Sequence, residues 1–200
     1  MINIVIVYHS HYGHTRLQAE AVAKGAASVD RVNVTVLTAK DAVERIDELD
    51  RADAIVFGSP TYMGSMAAEM KKFLEAAVPK WFTQAWKNKI AGAFTNSSSF
   101  SGDKLNTLMG LFINAMQHGM IFVGLGLLPA ANETESMRTP TGPSPNAVNR
   151  VGSFIGPMAA SFQLNPGDGP PPGDLETARL YGIRVAEVTQ QFVLGRKKTD

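Results

Sequence analysis

The order of apolar and amphipathic segments constrains the fold of this chain more than any other feature. Five short runs rich in β-branched and aromatic residues predict buried strands, and they cover residues 2–8, 32–37, 54–58, 90–95 and 121–123. Segments of helical composition or helical period alternate with them, over residues 15–27, 42–49, 66–77, 105–116 and 175–192. Such alternation produces right-handed crossovers between parallel strands. We therefore predict an α/β fold of three layers, with a five-stranded parallel sheet in the order 2-1-3-4-5 and helices on both faces.

Residues 124–173 depart from this alternation. They hold 9 of the 11 prolines and 8 of the 18 glycines, a composition that could hardly fill a second core. We expect a single domain over residues 1–200, with a long Pro- and Gly-rich excursion at about 124–173. In the last predicted helix, Gly182 is expected to mark a close approach to the sheet.

Composition and charge exclude several classes of protein. The chain has no cysteine, so thiol redox chemistry is excluded and any redox reaction needs a bound cofactor. The formal net charge is +1 and the one basic cluster, Arg196–Lys198, lies at the tail, which argues against a nucleic-acid partner. No apolar run is long enough for a membrane span, and the first residues lack the basic segment of a signal peptide. We therefore expect a cytoplasmic protein.

The turns that follow the first, third and fourth predicted strands are rich in hydroxyl groups and glycine. They are Ser10–Thr15, Ser59–Gly64 and Thr95–Gly102, and none contains Lys, Arg, Asp or Glu. In a doubly wound sheet the ligand binds at the carboxyl ends of the strands, where these turns lie. In the first turn, the hydroxyls of Ser10 and Thr15 and the N–H groups of a helix start suit a phosphate. The alternative is that these two residues only cap the helix.

The second and third turns suit a flat aromatic ligand. Tyr62 and Met63, held between Pro60 and Gly64, offer a ring and a polarizable thioether to an aromatic face. The backbone of residues 96–102 can hydrogen-bond a pyrimidine-like edge. A ligand with one phosphate, a polar tail and a large ring system is FMN, which we predict as the cofactor. The alternative is that Tyr62 and Met63 simply pack beneath the loop.

Two other kinds of site fit the sequence less well. His9, His11 and His14 form an H-x-H-x-x-H cluster, but no carboxylate accompanies it, so we predict no metal site. The chain has no GxxxxGK[ST] or GxSxG motif, and no GxGxxG follows the first strand. No side-chain acid or base is evident in the three turns, so we predict no catalytic residue in the strict sense.

Four motifs occur along the chain in an order typical of one family: Ser10–Thr15, Gly58–Gly64, Met70–Leu74 and Gln117–Met120. Together they resemble the flavodoxin-like NAD(P)H:quinone oxidoreductases of the tryptophan-repressor-binding-protein type. The resemblance runs from the first to the fifth predicted strand and resumes in the last helix. It implies a flavodoxin-like fold, bound FMN, NADH or NADPH as electron donor, and a homodimer or homotetramer.

The turns and the resemblance together indicate the residues of the site. The residues that we predict to bind FMN are Ser10, His11, Tyr12, Gly13, His14, Thr15, Pro60, Thr61, Tyr62, Met63, Gly64, Thr95, Asn96, Ser97, Ser98, Ser99, Gly102, Gln117 and His118. By the resemblance, residues 10–15 would hold the phosphate, residues 61–63 would lie along the ribityl chain and ring, and residues 95–102 would take the pyrimidine end. Tyr12 would contact the nicotinamide nucleotide, and Trp81 would face the substrate.

Four positions leave alternatives open. The family has a histidine near the flavin where this chain has Gln117, and His118 follows it, so either could reach the flavin. A buried histidine at a helix end is the other interpretation of His118, and an apolar anchor is the other interpretation of Trp81. Arg150, in the excursion, could pair with a nucleotide phosphate or a partner chain, or could be an exposed loop arginine.

The resemblance implies two-electron hydride transfer from NAD(P)H through FMN to a quinone. Three other functions are compatible with the sequence: an NAD(P)H-dependent flavin reductase that supplies a monooxygenase, a one-electron flavodoxin carrier, and a non-catalytic regulatory binding module. A flavodoxin generally needs negative surface charge to find basic partners, which a net charge of +1 does not provide.

Overall fold

The computed structural model describes residues 1–196, so Lys197 and Lys198 of the basic cluster lie outside the described residues. Strands and helices alternate as the sequence predicts. The strands are β1 (Ile2–Tyr8), β2 (Val32–Thr38), β3 (Ala54–Tyr62), β4 (Ser65–Met66), β5 (Ile90–Ser97), β6 (Ile121–Phe122) and β7 (Met158–Ala160). The helices are α1 (His14–Ala27), α2 (Ala39–Glu44), α3 (Ala68–Ala76), α4 (Val78–Phe82), α5 (Lys104–Gln117) and α6 (Pro172–Arg196), with 3₁₀ turns at Ile46–Arg51 and Thr134–Arg138.

The parallel sheet has the predicted strand order. Its neighbours run β2, β1, β3, β5 and β6, which are the five predicted strands. Ile4 of β1, for example, pairs with Val34 of β2 on one side and with Ala54 of β3 on the other. The short β4 is an addition that forms an antiparallel hairpin with the end of β3. The three-layer α/β architecture is confirmed.

The excursion returns to the sheet instead of only extending beyond it. β6 pairs with the beginning of β5 through Ile121 and Ile90, and β7 pairs with the end of β5 through Met158 and Thr95. Two short strands thus share the fifth position of the sheet, and the chain leaves and re-enters between them. The sequence did not indicate β7, because a run of Met-Ala-Ala carries no alternation of apolar and polar residues.

Helices cover both faces of the sheet. Alternate residues of the central strands point to opposite faces, and both sets are buried, which explains the continuous apolar runs in the sequence. α3 and α5 cover one face, and α1 and α6 cover the other. The three turns lie at the carboxyl edge of the sheet, beyond the ends of its strands. Members of the two core clusters are Val7, Phe57, Phe73 and Leu108 on one face, and Ile6, Val56, Val22 and Tyr181 on the other.

Gly182 is closely packed, but against a helix, so the prediction that it approaches the sheet is wrong. A Cβ atom at Gly182 would lie 2.0 Å from the carbonyl oxygen of Val22, and one at Gly25 would lie 1.8 Å from the carbonyl oxygen of Arg179. α1 and α6 therefore cross backbone to backbone. This contact fixes α1, whose first two residues belong to the first of the three turns.

Candidate functional site

The three turns meet around one cavity at the carboxyl edge of the sheet, which we call the turn cavity. Its volume is about 520 Å³, within the ~300–1,000 Å³ typical of small-molecule sites. A fourth segment, residues 161–166 of the excursion, closes it; we call this the return segment. The lining residues are Ser10, Tyr12, His14, Thr15, Pro60, Thr61, Tyr62, Asn96, Ser97 and Ser98 from the turns, and Ser161, Gln163, Leu164, Asn165 and Pro166 from the return segment.

The first turn presents unpaired backbone N–H groups to the turn cavity. Gly13 precedes α1 with a φ of 93°, which a residue with a side chain rarely adopts. Its N–H donates to Ser10 Oγ at 3.1 Å. The first bond within the helix runs from Leu17 N to the carbonyl oxygen of Gly13, so the N–H groups of residues 14–16 have no acceptor in the helix. These groups and the buried Thr15 hydroxyl form a cradle for an anion.

The second turn supplies an aromatic rim. Met63 and Gly64 have φ values of 47° and 79° and form the two-residue loop between β3 and β4. The side chain of Met63 is fully exposed. Tyr62 is partly exposed, and its ring lies edge-on to the ring of Tyr12, with centroids 6.3 Å apart. Burial raises the pKa of the Tyr62 phenol, so this rim stays uncharged at neutral pH.

Three threonine hydroxyls connect the second and third turns to α5. Thr61 Oγ1 lies 2.9 Å from Thr95 Oγ1 and 2.8 Å from Thr107 Oγ1. Thr95 and Thr107 are fully buried, so they support Thr61 from below. Thr95, predicted to bind FMN, does not line the turn cavity. Sequence reasoning missed Thr107, because only its burial in the structure distinguishes it from a surface threonine.

A buried lysine holds the third turn. Lys104, at the start of α5, donates from Nζ to Ser97 Oγ at 2.9 Å and to the carbonyl oxygen of Ser99. Burial lowers the pKa of Lys104 to about 8; the charge of Asp174 opposes this shift, and that of Arg150 adds to it. A turn without charged residues in the sequence is thus backed by an ammonium group. Sequence reasoning missed it because Lys104 lies two residues beyond the turn.

The return segment bridges the third turn and the first. The backbone N–H of Ser161 donates to the carbonyl oxygen of Ser97 at 2.9 Å, which continues the pairing of β7 with β5. Further along, His14 Nε2 lies 2.7 Å from the carbonyl oxygen of Leu164. These contacts join residues that are far apart in the sequence. No local pattern could therefore have placed the return segment at the site.

A buried ion pair anchors the return segment. Arg150 Nε and Nη2 donate to the two carboxylate oxygens of Asp174 at 2.7 and 3.0 Å, and both side chains are buried. Asp174 also accepts the backbone N–H of Ala160 in β7 at 2.8 Å. Among the alternatives considered for Arg150, an exposed loop arginine is therefore wrong.

Three residues predicted to contact the flavin or the substrate lie away from the turn cavity: Gln117, His118 and Trp81. They line a second cavity of about 240 Å³, the helix cavity, together with Lys71 and other residues of α3 and α5. His118 is buried at the end of α5, with its ring centroid 4.5 Å from that of Trp86, and burial lowers its pKa. Within residues 1–196, the structure brings none of these three predicted residues to the turn cavity.

Six further residues predicted to bind FMN lie in the turns but do not line the turn cavity. Three are glycines whose positive φ angles shape the turns, and the other three have exposed side chains. The glycines are Gly13, Gly64 and Gly102, and the exposed side chains are those of His11, Met63 and Ser99.

The chemistry of the turn cavity follows from what lines it. Within residues 1–196, its lining contains no Lys, Arg, Asp or Glu, and no three His, Asp or Glu side chains converge as metal ligands. No helix in the same range is long and apolar enough to cross a membrane. An anion cradle, an aromatic rim and a polar third turn around an uncharged cavity fit the phosphate, ring and pyrimidine edge of FMN.

Comparison with known proteins agrees with this geometry. Residues 3–135 match the family model of NADPH-dependent FMN reductases. Flavodoxin FldP from Pseudomonas aeruginosa (strain UCBPP-PA14) is 40% identical over 194 residues, which cover 96% of this chain and 99% of that protein. An NAD(P)H dehydrogenase (quinone) from Syntrophobacter fumaroxidans is 32% identical over 214 residues, with 96% and 98% covered. The resemblance inferred from the motifs is confirmed.

Solved structures give the same result. A crystal structure of a WrbA-like flavodoxin from Agrobacterium tumefaciens is 40% identical, with a TM-score of 0.69 and coverage of 96% of this chain and 99% of that one. A flavodoxin from the domain Archaea, 23% identical with a TM-score of 0.62, shows the shared fold alone. The chain therefore has a flavodoxin-like fold and belongs to the NADPH-dependent FMN reductase family, as an oxidoreductase that uses FMN and NAD(P)H.

Proposed function

We propose that this protein is an FMN-dependent NAD(P)H:quinone oxidoreductase, which transfers two electrons from NAD(P)H to a quinone. The turn cavity carries the proposal, because an anion cradle and an aromatic rim meet there in a lining without charged side chains. Several relatives of 29–32% identity that bear the name NAD(P)H dehydrogenase (quinone) support it.

Each part of the turn cavity would hold one part of FMN. The N–H groups of residues 14–16, with Ser10 and Thr15, would bind the phosphate. The second turn would lie along the ribityl chain and the ring. Asn96 and the Ser97–Ser98 backbone would bind the pyrimidine edge, and the return segment would exclude water from the buried side.

The side chains contribute binding and electrostatics rather than acid–base catalysis. FMN, when bound, supplies the chemistry by exchanging two electrons with the nicotinamide and with the quinone. The exposed rings of Tyr12 and Tyr62 offer apolar edges to a second flat molecule. The Lys104 ammonium, behind the third turn, favours negative charge at the pyrimidine end of the cavity.

One observation favours a second function. The relative of 40% identity is named a flavodoxin, which suggests a one-electron carrier. A carrier that docks on basic partners needs an acidic surface around its flavin. The net charge of +1, the uncharged lining and the buried Lys104 argue against that role.

The test is to load the purified protein with FMN and to follow oxidation of NADH and NADPH with and without benzoquinone. We expect FMN to bind, and nucleotide oxidation to accelerate when benzoquinone is present. Stable FMN binding without oxidation of either nucleotide would support the carrier. Oxidation that requires free FMN in excess, with no dependence on the quinone, would support a flavin reductase instead.

Two variants at opposite ends of α1 make the test specific to the cradle. Thr15→Ala removes a hydroxyl at the start of the helix. Ser28→Ala removes the hydroxyl of the residue that follows the helix, which donates to the carbonyl oxygen of Gly25. Hydrogen bonds to charged groups contribute about 1.5–3 kcal/mol, so Thr15→Ala should weaken FMN binding about tenfold or more. Ser28→Ala should leave FMN binding unchanged.

We also propose that the protein is a homodimer or homotetramer. The helix cavity lies beside exposed apolar side chains, including Trp81 and the largely exposed Phe82, whose ring centroids are 4.6 Å apart. Light scattering at several concentrations tests this, and a mass equal to that of one chain at every concentration would exclude it.

A further inference from the structure

The excursion lines an open surface cavity that the proposed function does not use, which we call the excursion cavity. Its volume is about 580 Å³. It neighbours the turn cavity, because Phe100 lies two residues after Ser98, and Phe162 lies between Ser161 and Gln163 of the return segment. We call Phe100 and Phe162 the shared wall. The remaining wall comes from residues 136–145. A molecule too long for the turn cavity could therefore extend across the shared wall.

Two phenylalanine rings form the shared wall. The rings of Phe100 and Phe162 are nearly parallel, with centroids 6.4 Å apart and an angle of 27° between their planes. They are 39% and 44% exposed, which is high for phenylalanine. Phe162 has a φ of 49°, a costly conformation for an aromatic residue, and the bond from its N–H to the carbonyl oxygen of Ser98 holds it there. The strained backbone thus displays an aromatic surface to the excursion cavity.

Arg150 lies over this aromatic surface. Its guanidinium carbon is 5.0 Å from the centroid of Phe100 and 5.3 Å from that of Phe162. Nε and Nη2 are occupied by Asp174, but within residues 1–196 Nη1 makes no hydrogen bond. Arg150 also lines the excursion cavity, where one N–H edge is left to bind an anionic oxygen.

The opposite wall is uncharged and rich in hydroxyls. It contains Ser136, Thr139, Thr141 and Ser144, interrupted by Gly142 and two prolines. The nearby carboxylate of Glu133 accepts hydrogen bonds from the hydroxyls of Ser136 and Ser144, and these bonds fix the orientation of the two hydroxyls. The oxygens of these hydroxyls can accept hydrogen bonds from the ribose hydroxyls and the amino group of a purine nucleoside.

We propose that the excursion cavity binds the adenosine diphosphate half of the nicotinamide nucleotide. The diphosphate would lie beside Arg150 at the shared wall, and the adenosine would lie between the phenylalanine rings and the hydroxyl wall. The proposal rests on the proposed function for the position of the nicotinamide in the turn cavity. It gives a role to the buried Arg150 of the excursion and to the two rings displayed beside it.

The test compares donors that differ only in this half. NADPH and NADH contain it, whereas reduced nicotinamide mononucleotide does not. Thr141→Glu and Thr141→Lys place opposite charges on the hydroxyl wall at an exposed position, where the fold should tolerate them. We expect Thr141→Glu to raise KM for NADPH about fivefold and Thr141→Lys to lower it, as charge pairs at a few ångströms in a wet site allow. Neither variant should change KM for the mononucleotide.

A binding measurement makes the result independent of turnover. Calorimetric titration of the FMN-loaded protein with ADP should show binding that Thr141→Glu weakens. Phe100→Leu, which removes one ring but keeps an apolar side chain, should also weaken it several-fold. Thr83→Glu, an equal charge change at the end of α4, should have no effect on either measurement.

The outcomes separate this proposal from the proposed function. If no donor is oxidised but ADP binds as expected, the proposed function fails and the excursion cavity remains a nucleotide site. If the donors are oxidised but the Thr141 variants change neither KM for NADPH nor ADP binding, the proposal is overturned. Equal effects of the Thr141 variants on the mononucleotide and on NADPH would overturn it as well.

Discussion

The turn cavity has two sides that are held in different ways. Each of the three turns follows a strand of the sheet, and short-range contacts shape the first and third turns, such as the bonds from Gly13 N to Ser10 Oγ and from Lys104 Nζ to Ser97 Oγ. The return segment depends on partners far away in the sequence, above all on the Arg150–Asp174 pair. The difference shows that the turns can be recognised from local sequence, whereas the position of the return segment depends on residues far from it along the chain.

Breaking the anchor of the return segment should have the largest effect. Asp174→Ala leaves the Arg150 guanidinium buried without its partner and removes the acceptor of Ala160 N–H. Loss of one member of a buried pair costs about 3–5 kcal/mol, so the free energy of unfolding in urea should fall by that amount. FMN binding should weaken as well, because the return segment loses its anchor.

An exposed ion pair provides the control for this prediction. Glu20→Ala removes the partner of Arg16 in α1, next to the first turn, where both side chains are about half exposed. Such pairs contribute about 0–1 kcal/mol. Asp174→Asn, which keeps the shape and one acceptor, should fall between the two. A loss in Asp174→Ala no greater than that in Glu20→Ala would show that the buried pair does not anchor the return segment.

Gly13→Ala tests the contact between the two sides. A Cβ atom there would lie 2.9 Å from Pro166 Cγ in the return segment, and the backbone φ of 93° disfavours any side chain. Backbone strain of this kind costs about 1–3 kcal/mol, and thermal unfolding should show it. FMN binding should also weaken. Gly142→Ala is the matched control, because its φ is 76° but nothing lies within 4 Å of the added atom. Equal losses in the two variants would mean that Pro166 plays no part.

Lys104 tests how the third turn is held, because its buried ammonium group donates to Ser97 and Ser99 of that turn. The pKa of its ammonium is about 8 in the folded protein, against an ordinary value of 10.5. Between these values the unfolded chain binds more protons, so stability should rise as the pH increases from about 8 to 10.5. Lys104 should add about 2–3 kcal/mol to the free energy of unfolding across this range, measured by urea denaturation. Lys104→Met should abolish the part of this gain that comes from Lys104.

The same variant should change the bound cofactor. Loss of the positive charge behind the third turn should make the reduction potential of bound FMN more negative, measured by equilibrium titration with a reference dye. Lys89→Met is the control: burial also lowers the pKa of Lys89, but its Nζ donates to the carbonyl oxygens of Asp50 and Ala52, at the amino-terminal edge of the sheet. An equal shift of potential in both variants would rule out a specific role of Lys104.

The smallest effect is expected at the threonine contact beneath the second turn. Thr107→Val removes one hydroxyl bonded to Thr61, which costs about 0.5–1.5 kcal/mol of stability and should weaken FMN binding a few-fold. Thr189→Val removes a buried hydroxyl that donates within α6 to the carbonyl oxygen of Val185. It should lower stability by a similar amount without changing FMN binding, measured by fluorescence quenching. Weaker FMN binding in both variants would contradict a local role of Thr107.

The parallel sheet and the long helices could be predicted from the sequence because each has a recognisable composition or periodicity. The runs around Ile4, Ile55 and Ala91 are buried on both faces, so they are continuously apolar and easy to recognise. The excursion has no such period, and β7 is too short to show one. The partner of Gly182 was missed because a close approach of the backbone can be recognised from glycine, but its direction cannot.

In the candidate site, too, residues in local sequence patterns could be predicted, whereas residues placed by long-range contacts could not. Ser10, Thr15 and Tyr62 could be placed from turns that follow strands. The contacts of Asp174 and Leu164 could not be predicted, because their partners lie far away in the sequence. Asp174 pairs with Arg150, 24 residues away, and Leu164 contacts His14, 150 residues away. Lys104 and Thr107 lie just before and near the start of the helix predicted over residues 105–116, where a lysine and a threonine are ordinary surface residues by composition. Only the burial of their side chains distinguishes them.

The shared fifth position of the sheet has a consequence for the evolution of this protein. Because β6 and β7 both lie against β5, the segment between them begins and ends on the same strand, and the entropy of closing a loop grows slowly with its length. The segment between β6 and β7 can therefore change in length and sequence while every strand keeps its register. One position limits such changes: a Cβ atom at Gly156 would lie 1.9 Å from the carbonyl oxygen of Ala93, so any altered segment must keep a glycine there.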